Sequence, residues 1–186
     1  HTIEELSLNY DLKVDYVNLD ANGMIDYNHL EKLLNNSSSK TLVSLMHVNN
    51  EIGNRIDIKQ VADLCKKNNT LFHSDTVQSV GHYNLNLSEI PIDFATVAAH
   101  KFHGPKGVGF AFIRKNSGLK PLIVGGQQER GLRAGTESVY AIAGLNKALQ
   151  ISYNNLDEES KYIKSIKNYF KDLLLQELPN SKLNGY

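Results

Sequence analysis

One cysteine, Cys65, in 186 residues leaves no partner for an internal disulfide. That scarcity points to a reducing compartment, and a cytoplasmic protein is expected. Charge of one sign is also missing. Lys and Arg total 20, Asp and Glu total 20, and the formal net charge is zero. No broad electrostatic attraction to nucleic acid or to an anionic membrane follows. No apolar run is long enough to span a bilayer. No basic start followed by an apolar segment reads as a signal peptide. What remains is a hydrophobic fraction of 41% with 22% charged residues, ordinary for a globular protein with one sizeable core. The chain opens inside a helical pattern without an initiating Met. It closes on Asn184-Gly-Tyr186 with no finishing element. Both ends are those expected of a piece of a longer protein.

Hydrophobic periodicity sets the elements. A helix is expected over 2–8 and a strand over the alternating Lys13–Leu19. Asp26 should cap a helix over 27–35, with Leu30, Leu33 and Leu34 on one face. Thr41–Val48 is almost continuously apolar, as a strand buried on both faces would be. A helix over 57–68 carries Ile58, Val61, Ala62 and Cys65. Strands follow at 70–74, 94–98 and 108–113, with a helical turn near 76–81. Helices are expected over 137–153 and 157–178. The second has an apolar face of Ile163, Ile166, Phe170, Leu173, Leu174 and Leu178, and Pro179 ends it. Strands alternating with helices imply an α/β fold, a mostly parallel sheet with helices on both faces. The strand at 108–113 follows too closely for a helical crossover and should be antiparallel.

In such sheets ligands sit outside the carboxyl ends of the strands. Asn49, Asn50 and Glu51 follow the first buried strand. His73, Asp75 and Gln78 close or follow the second, and His100 and Lys101 follow the third. A lysine and an acid at neighbouring strand ends suit one chemistry well. The lysine can form a Schiff base with pyridoxal phosphate, and the aspartate can keep the pyridine nitrogen protonated. Plainer readings stand beside this one. Asp75 could cap the turn that follows it, and His73 reads as a packed core histidine. His100 and His103 lack a third ligand in reach, so no metal is expected. Gly104-Pro-Lys-Gly107 lacks the spacing of a phosphate-binding Walker loop and reads as a tight turn. Cys65, on an apolar helix face, should be buried and inert.

Four stretches appear in order. They are Met46-His-Val-Asn-Asn-Glu-Ile-Gly53, Phe72-His-Ser-Asp-Thr-Val-Gln-Ser-Val-Gly81, Ala99-His-Lys-Phe-His-Gly-Pro-Lys-Gly-Val-Gly109 and Gly125-Gly-Gln-Gln-Glu-Arg-Gly-Leu-Arg-Ala-Gly-Thr-Glu137. Together they resemble the NifS-like cysteine desulfurases of the class V aminotransferase group, fold-type I pyridoxal phosphate enzymes. The resemblance runs along nearly the whole chain. It implies Lys101 as the Schiff-base lysine and proton carrier, and Asp75 as partner of the pyridine nitrogen. It implies Gln78 and Asn50 near the ring's phenolic oxygen, and His100 as a phosphate ligand. Thr136, at the start of the helix expected from 137, is implied as a phosphate ligand serving the other subunit of a homodimer. The implied reaction converts L-cysteine to L-alanine and passes sulfur, as a persulfide, to an acceptor protein. That acceptor is an iron–sulfur scaffold or a tRNA-thiolating enzyme; no direct nucleic-acid or membrane partner is implied.

The resemblance also divides the chain. Residues 1–156 correspond to the central part of the cofactor-binding large domain, 157–178 to a connecting helix, and 179–186 to the start of a small domain. The family's ring-stacking histidine precedes this stretch, and His1 is not assigned to it. The sulfur-accepting cysteine and the carboxylate-binding arginine follow residue 186, so these 186 residues alone are expected to lack desulfurase activity. Ala98 stands where the family usually has serine, Gln127 where a third glycine is common, and Ser74 where a small apolar residue is common. Another class V enzyme, a selenocysteine lyase or an aminotransferase, is an alternative. So is a binding or scaffold protein with a degenerate cofactor site.

Overall fold

The computed structural model describes residues 2–183. Its helices are α1 (Thr2–Tyr10), α2 (Tyr27–Asn35), α3 (Ile58–Lys67), α4 (Val139–Asn154) and α5 (Leu156–Glu177). Its strands are β1 (Leu42–Met46), β2 (Leu71–Asp75), β3 (Phe94–Ala98) and β4 (Gly109–Ile113). Two helices start where the sequence places an aspartate. The Asp26 carboxylate accepts the His29 N–H at 3.0 Å, and the Asp57 carboxylate accepts the Gln60 N–H at 2.9 Å. Each satisfies an amide with no partner inside the helix, a contribution of about 1 kcal/mol.

The strands lie in the order β1-β2-β3-β4, the first three parallel and the last antiparallel. Chain length explains the change of direction. Residues 99–108 are too few for the crossover a parallel neighbour requires. Gly109 permits the return: a Cβ there would stand 2.2 Å from the Val97 carbonyl oxygen.

The core occupies one side of the sheet. Val43, Phe72 and Ala95 point into a cluster with Leu30 and Leu34 of α2 and Ile58, Val61, Ala62 and Cys65 of α3. Val97 joins a second cluster with Val80, Ala99, Phe102 and Leu145 of α4. On the opposite face Ser44, His73, Asp75, Thr96 and Ala98 are half-buried or exposed. The expected mostly parallel sheet with its antiparallel fourth strand is therefore present. Among the described residues its buried side chains lie on the face that α2, α3 and α4 cover.

Two local expectations need correction. Lys13–Leu19 forms no strand; it offers one bridge, Leu19 to Ile25. Alternation supplies a face but not a pairing edge, and a segment without a neighbouring ladder stays irregular. The helical turn expected near 76–81 is present, with the Ser79 and Val80 N–H groups both bonding the Thr76 carbonyl at 3.0 Å. The helix expected from 137 begins at Val139, with Ser138 as its N-cap. No residue of α5 is buried, so Ile163, Ile166, Phe170 and Leu173 stand exposed on the described chain.

Candidate active site

The carboxyl ends of β1, β2 and β3 meet along one edge. Asp75 is the last residue of β2, opposite Met46 on one side and Thr96 on the other. Its Oδ1 accepts the Val77 N–H at 2.9 Å, which fixes the carboxylate as the chain turns away. No other hydrogen bond reaches the carboxylate among the described residues, and the residue is half-buried. Asp75 thus anchors the turn with one oxygen, as the capping reading expects, and its other oxygen accepts no hydrogen bond among the described residues.

Lys101 lies in the 3-10 helix Ala99–Phe102 that follows β3 directly. It is exposed and has no ion pair among the described residues. The helix ends at His103, which is left-handed at φ 66°. The Gly104 N–H returns to the Ala99 carbonyl at 2.9 Å and closes the turn.

The two chain segments are tied together. Gly81, at φ +83°, lies against Phe102, and a Cβ on Gly81 would come within 2.6 Å of the Phe102 Cβ. The next residue, His82, places Nε2 2.9 Å from the Lys101 carbonyl oxygen. Val80 packs with Ala99 and Phe102 in one cluster, and Leu145 of α4 closes it from behind. The segment leaving Asp75 is therefore the seat of the helix that presents Lys101. Sequence inspection missed this contact. Its signal was the glycine at 81, the one residue type that fits both the φ and the space.

The remaining expected residues stand at varied distances from this pair in the chain. Gln78 is half-buried in the turn after Asp75. Asn50 is exposed in the loop after β1, its amide nitrogen donating to Glu51 Oε1 at 2.8 Å. The Asn49 side chain shapes that loop by accepting the Glu51 and Ile52 N–H groups at 2.8 and 3.0 Å. His100 is exposed beside Lys101. Thr136 is exposed in the loop before α4. It precedes the helix rather than opening it, and makes no hydrogen bond to Asp75, Gln78, His100 or Lys101. Ala98 ends β3 without a hydroxyl. His73 is not a core histidine: it lies on the half-exposed face with Asp75, its Nδ1 2.8 Å from Ser44 Oγ.

Behind the site, His47 is buried at 4% exposure, and its Nδ1 has no partner. The hydroxyl of fully buried Ser74 is likewise unpaired. The His47 amide bonds the Asp75 carbonyl at 2.9 Å, so this histidine backs the carboxylate strand directly. Burial, helped by the Arg55 guanidinium and opposed by Asp57, pushes the His47 pKa down from 6.5 to about 4. In that window the unfolded chain takes a proton that the folded chain refuses. Stability is undiminished above the unfolded value and falls as pH drops toward the folded one. Between about pH 7.5 and 5 we expect His47 to remove about 2 kcal/mol of stability. Urea unfolding of wild type and His47→Gln at both pH values reads this contribution as the difference between their pH dependences. Equal pH dependences would contradict it.

Cys65 is 1% exposed, and burial pushes its thiol up to about 12. A thiolate is the reactive form, so native protein should resist iodoacetamide and react once unfolded. Rapid alkylation of the folded chain at Cys65 would contradict this.

The pattern of the family described as Aminotransferase class-V matches residues 1–186. The cysteine desulfurase IscS of Dictyoglomus turgidum is 37% identical over 185 residues, covering 100% of this chain and 45% of the relative. The X-ray structure of a NifS-like protein from Rickettsia africae is 35% identical, with a TM-score of 0.88 over 97% of this chain and 50% of that one. A structure of SspA in complex with cysteine is 33% identical, with a TM-score of 0.75 over 80% of this chain and 43% of that one. The chain thus spans about half the length of the relatives it matches. Its sheet, with an acid and a lysine at adjacent strand ends, is similar to the NifS-like fold-type I enzymes, and the chain belongs to the class V aminotransferase family.

Proposed function

We propose that this chain is the central part of a pyridoxal phosphate-dependent cysteine desulfurase, acting as a homodimer. The observation that carries the reading is the Asp75–Lys101 pair on segments locked together through Gly81, His82 and Phe102. Residues 1–156 form the cofactor-binding part, 157–178 a connecting helix, and 179–186 the start of a further domain. Of these, residues 1 and 184–186 lie outside the described residues.

The donor set fits pyridoxal phosphate. Asp75 keeps a carboxylate oxygen for a protonated ring nitrogen, and Lys101 offers an unpaired ε-amine for the aldehyde. Gln78 and Asn50 supply amides for the phenolic oxygen. His100 supplies a donor for the phosphate, and Thr136 one for the phosphate in the partner subunit. Bound pyridoxal phosphate supplies an electron sink for bond breaking at the substrate's α-carbon. The Asp75 charge holds the proton on the ring nitrogen, and Val77 keeps that carboxylate from rotating away. Lys101 Nζ moves a proton at the substrate's α-carbon as general base and acid. The Gly104 turn holds the short helix that aims it.

L-Cysteine is the substrate we propose, with L-alanine as product and sulfur leaving as a persulfide to an acceptor protein of iron–sulfur assembly or tRNA thiolation. The relatives named as cysteine desulfurases and the cysteine complex of a similar fold support this choice. Incubating the full-length protein with pyridoxal phosphate, L-cysteine and a thiol reductant should release alanine and sulfide in equal amounts. Turnover of selenocysteine alone, or transamination without sulfide, would replace this reading with another class V activity. A protein that takes up no cofactor would favour a scaffold role, which Ala98 would then help to explain.

A further inference from the structure

The face that carries Asp75 also carries a polar row that the reaction leaves unexplained. His73 precedes Asp75 by two residues on β2, so both side chains stand on the same face. Its Nδ1 lies 2.8 Å from Ser44 Oγ on β1, and its Nε2 lies 3.5 Å from Thr96 Oγ1 on β3. Ser44 is the Cα partner of His73, and Thr96 is the Cα partner of Asp75. One half-buried imidazole therefore bridges both neighbours of the strand that ends in the carboxylate.

The residues beside this ring on the neighbouring strands carry no charge. Ser44 and Phe94, the Cα partners of His73, and Met46 and Thr96, the Cα partners of Asp75, are all uncharged. Asp75 is the charged group that acts on it, and burial outweighs that attraction, so the ring titrates below its ordinary range. Each flanking hydroxyl can donate or accept, so a neutral imidazole is satisfied here in either tautomer. A cationic ring at this place would divide the carboxylate's field between itself and any ligand cation.

We propose, resting on the cofactor reading above, that His73 is a positioning residue for Asp75. It is a neutral imidazole held between Ser44 and Thr96 that aligns the end of β2 with both neighbours. It leaves the whole carboxylate charge for a protonated ring nitrogen. His73 touches neither substrate nor cofactor in this role. It acts through the carboxylate two residues on.

Long-range 15N–1H spectra of the full-length protein, labelled at histidine nitrogens and free of cofactor, read the ring directly. At about pH 7 the His73 ring should be neutral, and addition of pyridoxal phosphate should leave it so. A doubly protonated ring overturns the proposal, whatever the fate of any variant. His73→Phe, which removes both contacts, should weaken pyridoxal phosphate binding by about tenfold, and His73→Gln should restore it to within about threefold of wild type. Wild-type affinity in His73→Phe overturns the positioning role alone. Wild-type protein that gives no visible band with pyridoxal phosphate overturns the cofactor reading and, with it, this role.

Discussion

Replacing Lys101 with alanine is expected to replace the imine absorption band that pyridoxal phosphate gives with the full-length protein by that of the free aldehyde, and to abolish turnover. Lys101 is the ε-amine presented by the short helix that begins where β3 stops. His100, its neighbour, cannot form the imine with an aldehyde, and Lys106 lies beyond the closed Gly104 turn. Loss of proton transfer alone costs about 10²–10⁴-fold in rate, and loss of the covalent anchor adds to that. The proposed phosphate and ring-nitrogen contacts do not involve Lys101, so Lys101→Ala should still bind pyridoxal phosphate, with the spectrum of the free aldehyde. Dialysis and absorbance separate these outcomes. A variant that keeps both the imine band and its rate would place the reactive amine elsewhere.

The second large effect is expected from Gly81→Ala. At φ +83° an alanine is strained by about 1 kcal/mol or more. Its Cβ would also fall 2.6 Å from the Phe102 Cβ. Neither side of that contact ends in a flexible chain, because the colliding atom is the Cβ of a wholly buried phenylalanine. Overpacking of this kind costs a further ~1–3 kcal/mol. Gly118 supplies the control. It has a similar φ of +78°, and nothing lies within 4 Å of where its Cβ would stand. Gly118→Ala should therefore show the strain without the collision, and the difference in urea midpoints between the two variants measures the contact. Gly81→Ala should also weaken pyridoxal phosphate binding, because Phe102 can yield only by moving the helix that holds Lys101. Equal effects of the two substitutions would mean that the Gly81–Phe102 contact does not position the lysine.

How far the sequence could be read depended on whether one segment's pattern was sufficient. The α3 helix was legible because Asp57 and the Ile58, Val61, Ala62, Cys65 stripe are local signals, and each does in the fold what its spacing implies. The antiparallel β4 was legible from chain length alone. Lys13–Leu19 misled because alternation says nothing about whether a pairing edge exists nearby. His73 was misread as a core residue because the apolar residues around it conceal which face is covered. Covering depends on α2, α3 and α4, which lie far away in sequence. Asp75 and Lys101 stood out by residue type at strand ends. The tie between them through Gly81, His82 and Phe102 joins segments about 20 residues apart, and no local pattern announces it.

The central claim is that Lys101, aimed by a helix seated on the segment that leaves Asp75, is the amine that captures the cofactor aldehyde. Borohydride reduction of the full-length protein with pyridoxal phosphate, followed by proteolysis and mass spectrometry, tests it at one atom. We expect a single stoichiometric pyridoxyl label on the peptide that contains His100-Lys101-Phe102, and none in Lys101→Ala. A label carried by another lysine, or no label at all, would contradict the account.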